Sequence, residues 1–249
     1  DLLPVADLIR TVEVDLLDRN KRLLKALRED ENAEAVFLST VADQKLGRMS
    51  EFREPSDELL ASVLIARRFG VKQGSKVRAV DDESECGLNA RVTPTEKLKW
   101  DGVDRLTACL KAFYRLGGGS PSFAKLDIDS AYRRVPIRQD HRHLAWVAFK
   151  YNGRTLLARH NMLSFGMLAA VYGWDDVGDL LVVVLRRLLN IPALRWVDDI
   201  FFVGRVDVVQ HALSCAVRLV RSLLGDSSVP DMKTEHGNPM DVLCLSFGG

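Results

Sequence analysis

Leu194-Arg195-Trp196-Val197-Asp198-Asp199-Ile200-Phe201-Phe202-Val203 sets two adjacent carboxylates inside a run of β-branched and aromatic residues. That composition favours a strand, and the middle of a strand has no structural use for paired charges. Like charges this close repel and resist burial, so a cation, an arginine or exposure at a turn must answer them. A two-strand hairpin with Asp198 and Asp199 at its tip would hold both carboxylates rigidly and leave them open to a divalent metal. Such a site calls for a third acid elsewhere in the chain.

Lys125-Leu126-Asp127-Ile128-Asp129-Ser130-Ala131-Tyr132-Arg133-Arg134-Val135-Pro136-Ile137 offers one. Ala124, Leu126 and Ile128 alternate with Lys125 and Asp127, the period of a half-buried strand, and Ser130-Ala131-Tyr132 reads as the turn out of it. Asp127 is therefore expected at a strand end beside the hairpin. Together the two segments resemble the first and third palm motifs of reverse transcriptases. The first motif of that family runs aspartate, three residues, alanine, aromatic, then a proline four further on; Asp127, Ala131, Tyr132 and Pro136 follow it in order. The third is an aromatic before Val-Asp-Asp, and Trp196-Val197-Asp198-Asp199 follows it with Trp for the usual Tyr.

Upstream, Arg67 to Val80 carries five cations and no acid, with Gly70 and Gly74-Ser75 as turns between short strand-like pieces. A basic β-hairpin presents point charges and forked donors to a triphosphate; equally, a surface hairpin can pair its cations with the acids that follow, Asp81 to Glu85. In context Lys76, Arg78, Val80 and Asp81 resemble the Lys-x-Arg-x-Val-Asp strand of the family's fingers hairpin. The resemblance makes Arg78 the leading phosphate contact and Lys72 a weaker one.

Downstream, Leu144–Phe149 and Thr155–Arg159 are strand-like runs around Tyr151-Asn152-Gly153-Arg154, a strong hairpin signal. Leu163-Ser164-Phe165-Gly166 then leads into an apolar helix through about Leu189. It resembles the family's second palm motif, with Ser164 where proline is usual and Ala169-Ala170-Val171 in place of Asn-Ala-Pro. Trp174-Asp175-Asp176 also sets an aromatic before two acids, but it lies in helical spacing (Val177, Leu180, Leu181, Val184, Leu185, Leu188). Acids early in a helix answer its dipole without a metal, so this segment reads as structural.

The remaining spans are expected to be largely helical. Apolar residues from Asp1 to about Asp30 recur at helical spacing, and Ser56 with Asp57 and Glu58 caps a helix running Leu59 to Ile65. Lys97–Leu116 reads as a helix with Trp100, Val103, Leu106, Cys109, Leu110 and Phe113 on one face, and Val206–Leu224 as another. Gly117-Gly118-Gly119-Ser120-Pro121 lacks the Gly-Lys-Ser/Thr of a phosphate loop and reads as a flexible entry to the Asp127 strand. Lys233 is either an ordinary loop lysine or, by resemblance, the family's fourth-motif lysine near the triphosphate. Val242–Gly249 resembles the start of a primer-grip hairpin.

Composition bounds the rest. At 249 residues, 47% hydrophobic and 28% charged, the chain reads as an ordinary globular protein. Its net charge of +1 gives no global field for a polyanion, so nucleic-acid affinity must come from local patches. Cys86, Cys109, Cys215 and Cys244 lie far apart, with no Cys-x-x-Cys, which predicts reduced thiols, an intracellular protein of nucleus or cytoplasm, and no zinc site. No apolar run approaches the length of a membrane span, so no membrane partner is expected. The start at Asp1, without methionine, suggests a piece of a longer protein.

These readings predict an α+β fingers-and-palm fold: a helical segment over residues 1–63, a fingers-like region with the basic hairpin over 64–123, and a palm over 124–249. The palm is a small antiparallel sheet backed by helices, some fingers elements lie within 140–165, and the thumb is absent. By resemblance the function is that of a retroelement RNA-directed DNA polymerase acting on an RNA or DNA template with primer and on deoxynucleoside triphosphates. Asp127, Asp198 and Asp199, with the backbone carbonyl of Ile128, would hold Mg²⁺ or Mn²⁺. Lys72, Arg78, Tyr132, Phe165, Gly166 and Lys233 would hold the nucleotide. The Tyr132 ring under the sugar would leave no room for a 2′-hydroxyl, and it is also a plausible half-buried aromatic at a strand end. The alternative is an inactive remnant of the same fold, serving if at all to bind nucleic acid or protein.

Overall fold

The computed structural model describes residues 15–94, 96–237, 240–242 and 245–247. The chain is mixed α and β, in keeping with the α+β class, and forms two compact units, each assembled from two separate stretches: Asp1–Thr95 with Tyr132–Tyr172, and Glu96–Ala131 with Gly173–Gly249.

In the first unit, helix α1 (Leu16–Ala26) follows from the amphipathic pattern of its sequence. Asp15 caps it by accepting from Asp18 N, and Leu17, Leu23, Leu24 and Leu27 pack with Leu60, Val63, Ile65 and Trp146. The part of that pattern over residues 1–14 lies outside the described residues. The fully buried Asn20 donates to Leu60 O and Val63 O at 2.8 and 2.7 Å, satisfying carbonyls at the end of helix α3 (Asp57–Ser62). Ser56 caps α3 as expected. The helix stops at Ser62 instead of reaching Ile65, because Leu64 and Ile65 are taken up by β pairing: Ile65 opens strand β1 (Ile65–Gln73), parallel to β4 (Trp146–Tyr151). Leu144, read as strand, closes a 3-10 turn (Gln139–Leu144) ahead of β4.

Strand β2 (Lys76–Asp81) turns back on β1 through Gly74-Ser75, and β5 (Arg154–Arg159) turns back on β4 through Asn152-Gly153, both of these with positive φ as a type I′ turn requires. The sheet order is β2-β1-β4-β5. One face buries Leu64, Ala66, Val147 and Ala158, the other Ile65, Trp146, Ala148 and Leu157, so the parallel pair is covered on both sides. Helix α2 (Ala33–Lys45), which the sequence analysis did not single out, sets Val36 against Phe149 and Leu156, with Phe37 stacked on Tyr151.

The second unit holds helix α4 (Val103–Arg115), strand β3 (Pro121–Asp127), β6 (Leu194–Trp196), β7 (Asp199–Arg205), helix α6 (Val209–Leu224) and β8 (Thr234–Gly237). Its sheet is antiparallel throughout, in the order β6-β7-β3-β8. Helix α5 (Leu168–Leu188) begins in the first unit's stretch and ends in the second's. Helix α4 starts at Val103 and not at Lys97: Asp101 N donates to Arg195 O and its carboxylate accepts from Arg195 N, which commits this backbone to the edge of β6. Likewise α6 starts at Val209, after a turn in which Val208 N donates to Arg205 O. A last ladder joins β9 (Met240–Val242) and β10 (Leu245–Phe247); the rest of the Val242–Gly249 hairpin reading, and Cys244, lie outside the described residues.

Candidate functional site

The register of the second sheet brings the acids together. Strands β3 and β7 pair from Pro121↔Arg205 through to Asp127↔Asp199. The β6–β7 hairpin closes through just Val197 and Asp198, with Trp196 opposite Asp199. Residues directly opposite in an antiparallel pair share a face, so Asp127, Asp199 and Trp196 share one. Farther along that face Phe123, Phe201 and Val203 are buried with Leu106 of α4. The face thus runs from hydrophobic core to a carboxylate end. Ile128 is fully buried, and its N–H donates to Asp198 O at 3.2 Å, tying the end of β3 to the hairpin tip.

The charges at this end are coupled. Burial raises the affinity of Asp198 for a proton, and the carboxylates of Asp127 and Asp199 raise it further. Burial raises Asp199 too, with Lys125 pulling against it. Pairing of β8 with β3 sets Thr234 opposite Leu126 and so delivers Lys233 to the acids. Its Nζ lies 2.9 Å from Asp127 Oδ2 and 3.4 Å from Asp129 Oδ1. Burial alone would lower the lysine's pKa, but Asp127 and Asp129 outweigh it and hold the ammonium charged. Lys125 Nζ lies 3.3 Å from Asp199 Oδ2.

Oxygen-only donors that draw positive charge suit a hard divalent cation. Asp127, Asp198 and Asp199 fit one by donor chemistry. Asp127 pairs with Lys233 and Asp199 with Lys125, and among the described residues no group of three or more His, Cys, Asp or Glu is placed to hold a metal ion. No protein-family model matches the chain, and no curated protein does.

The remaining candidate nucleotide-site residues, Lys72, Arg78, Tyr132, Phe165 and Gly166, lie in the first unit. Tyr132 and Phe165 meet edge to face, ring centroids 5.1 Å apart, and Phe165 is exposed. Gly166 has φ +109°, and a Cβ there would lie 2.5 Å from Asp81 O, so this turn admits only glycine. Asn89 clasps the same turn, donating to Gly166 O at 2.8 Å and accepting from Leu168 N at 2.7 Å. Both readings of the basic hairpin find residues. Arg68 pairs with Asp81, and Arg67 with Asp82 and Glu85, whereas Arg78 is exposed and makes no ion pair among the described residues. Lys72 is exposed and paired with Glu31 at 2.9 Å.

A buried polar chain in this unit had no local signal in the sequence. Arg68 Nη1 donates to Asp81 Oδ1 at 2.8 Å, and His160 Nε2 donates to Asp81 Oδ2 at 2.9 Å. Arg133, which can only donate, reaches His160 Nδ1 and Asp43 Oδ2, each at 2.6 Å. Burial pushes His160 down to about 4, while Arg68, His160 and Arg133 overcome burial to hold Asp81 well below the usual carboxylate range. Beside it, burial and the Asp81 charge push Glu83 up to about 8. Its Oε1 has no partner among the described residues.

Proposed function

We propose that this chain is the fingers-and-palm portion of a retroelement RNA-directed DNA polymerase. The observation that carries the reading is the register Asp127↔Asp199 with Asp198 at the adjoining hairpin tip, three acids from two distant segments at one sheet end. Asp127 and Asp198 would hold the metal, Asp199 would assist, and the Ile128 carbonyl would add a backbone oxygen. Mg²⁺ or Mn²⁺ held by these oxygens would supply Lewis-acid chemistry, lowering the pKa of the primer 3′-hydroxyl and neutralising the departing pyrophosphate. That hydroxyl, its proton passing to water, would attack the α-phosphorus of the incoming deoxynucleotide, one P–O bond forming as the bond to pyrophosphate breaks. Lys233, Arg78 and, more weakly, Lys72 would neutralise phosphate charge as it develops. Tyr132, beside Phe165 and Gly166, would lie under the sugar and select against a 2′-hydroxyl.

A second reading, an inactive polymerase-like module that binds nucleic acid or protein, is favoured by one observation: Lys233 and Lys125 already answer Asp127 and Asp199. Primer extension on an RNA template with Mg²⁺ separates the two. Incorporation of deoxynucleotides in preference to ribonucleotides, lost in Asp198→Asn, is the expected result. A folded protein that binds primer–template and extends nothing would overturn the enzyme reading in favour of the module.

A further inference from the structure

Val197, first residue of the turn that carries Asp198, has φ +55°. A β-branched residue is strained in this left-handed conformation, which persists only where its surroundings impose it. The Val197 carbonyl accepts two hydrogen bonds, from Trp174 Nε1 and from Arg195 Nη1, each at 2.9 Å. Both donors are buried, at 1% and 2% exposure. Arg195 is fixed from behind, its Nη2 donating to Asp175 Oδ1 at 2.5 Å and Asp179 Oδ1 at 2.7 Å. Gly178 leaves the channel this arginine needs, since a Cβ there would lie 2.8 Å from its guanidinium. Asp175 also accepts from Trp100 Nε1, whose ring meets Trp196 edge-on. The Trp-Asp-Asp segment of α5 therefore stands directly behind the acidic turn.

We infer that Trp174 and Arg195 are positioning residues for Asp198: their hydrogen bonds to the Val197 carbonyl hold a strained turn in the conformation that keeps Asp198 at the Asp127 end of the sheet. The consequence for metal rests on the proposed function; the held turn itself does not. Trp174→Phe removes the N–H together with the five-membered ring and so also leaves a cavity at this buried position, a loss of stability that Val197→Gly would not repair. Val197→Gly removes the strain, since glycine takes positive φ freely.

The test is calorimetric titration with Mn²⁺ together with urea unfolding, on wild type, W174F, V197G and the double variant. W174F should bind Mn²⁺ about tenfold more weakly, the usual scale for losing a group that orients a ligand, while still unfolding in one transition. V197G should restore most of that affinity in the double variant. In urea, W174F should lower the midpoint less in the V197G background than in wild type. Unchanged Mn²⁺ affinity in W174F, or a loss that V197G does not restore, overturns the inference. If the wild type shows no Asp198-dependent Mn²⁺ binding, the polymerase reading falls. The urea midpoints then decide the held turn alone, and additive effects of the two substitutions overturn it.

Discussion

Lys233 Nζ stands 2.9 Å from Asp127 Oδ2, so the acid end of β3 carries its own cation. Lys125 does the same for Asp199, whereas Asp198 forms no ion pair among the described residues. The central acid is therefore the least compensated of the three.

Asp198→Asn should stabilise the fold and, on the proposed function, abolish polymerisation. The carboxyl's pKa is raised in the folded state by burial, then by Asp127 and Asp199, so the fold prefers the proton and loses stability as pH rises through that pKa. The asparagine does not ionise. At a half-buried site the gain should be about 1 kcal/mol, or roughly 2–4 °C in Tm at pH 8, vanishing toward pH 4. Thermal unfolding at both pH values checks it, and a lower Tm for the variant at pH 8 would contradict it.

Arg78 and Lys72 should separate kinetically. Arg78→Ala removes an exposed guanidinium that makes no ion pair among the described residues and, on the proposed function, should raise KM for deoxynucleotides about tenfold with Tm unchanged. Lys72→Ala removes a surface ion-pair partner of Glu31 and should alter KM by no more than about twofold. Steady-state primer extension over a range of triphosphate concentrations distinguishes them; equal effects would mean that both reach the phosphates.

Gly166→Ala should cost about 2–4 kcal/mol, because the added carbon meets the Asp81 carbonyl at 2.5 Å in a backbone conformation that alanine resists. Urea unfolding measures this directly. A loss below about 1 kcal/mol would show that the turn shifts to accept the methyl.

These sites were unequally legible. Asp198 could be placed at a hairpin tip because strand formers flank the acid pair on both sides, although Asp199 opens β7 and only Val197 and Asp198 form the turn; Asn152-Gly153 announced its turn through residues that tolerate positive φ. Lys233 stayed ambiguous because its position depends on β8, a four-residue strand with no distinctive pattern. Trp100 fitted a helical stripe in a span that took in Asp101, yet contacts with Trp196 and Arg195 overrode the pattern. Asp175 and Asp176 were expected early in a helix, but α5 begins at Leu168 and sets them about two turns in, where Asp175 answers Arg195 and Trp100; nothing nearby in sequence links Trp174 to Val197. Asp43, Arg68, Asp81, Arg133 and His160 are strewn across the first unit's stretches, and only the folded sheet makes them one chain of hydrogen bonds.

Opposing pH trends should follow from that chain and its neighbour. Glu83, raised to about 8, favours the fold below its unfolded value near 4.5 and loses this contribution between 4.5 and 8. His160, lowered to about 4, acts the other way: its contribution is present above 6.5 and lost as pH falls from there toward 4. Glu83→Gln should therefore raise Tm at pH 8 by roughly 4–8 °C, about 2 kcal/mol, and have little effect at pH 5. Melting curves for both proteins across this range test the sign; an equal shift at pH 5 and pH 8 would contradict it.

The division of the chain into interleaved stretches bears on how it is made. During synthesis β3 emerges with Asp127 but without a neighbour, since both strands that flank it, β7 and β8, are translated later. The intervening segment, residues 132–172, meanwhile completes the first unit. The ribosome thus delivers the acids in two instalments, and the sheet that unites them is a late, long-range closure. That places it among the slowest steps expected for a chain of this kind.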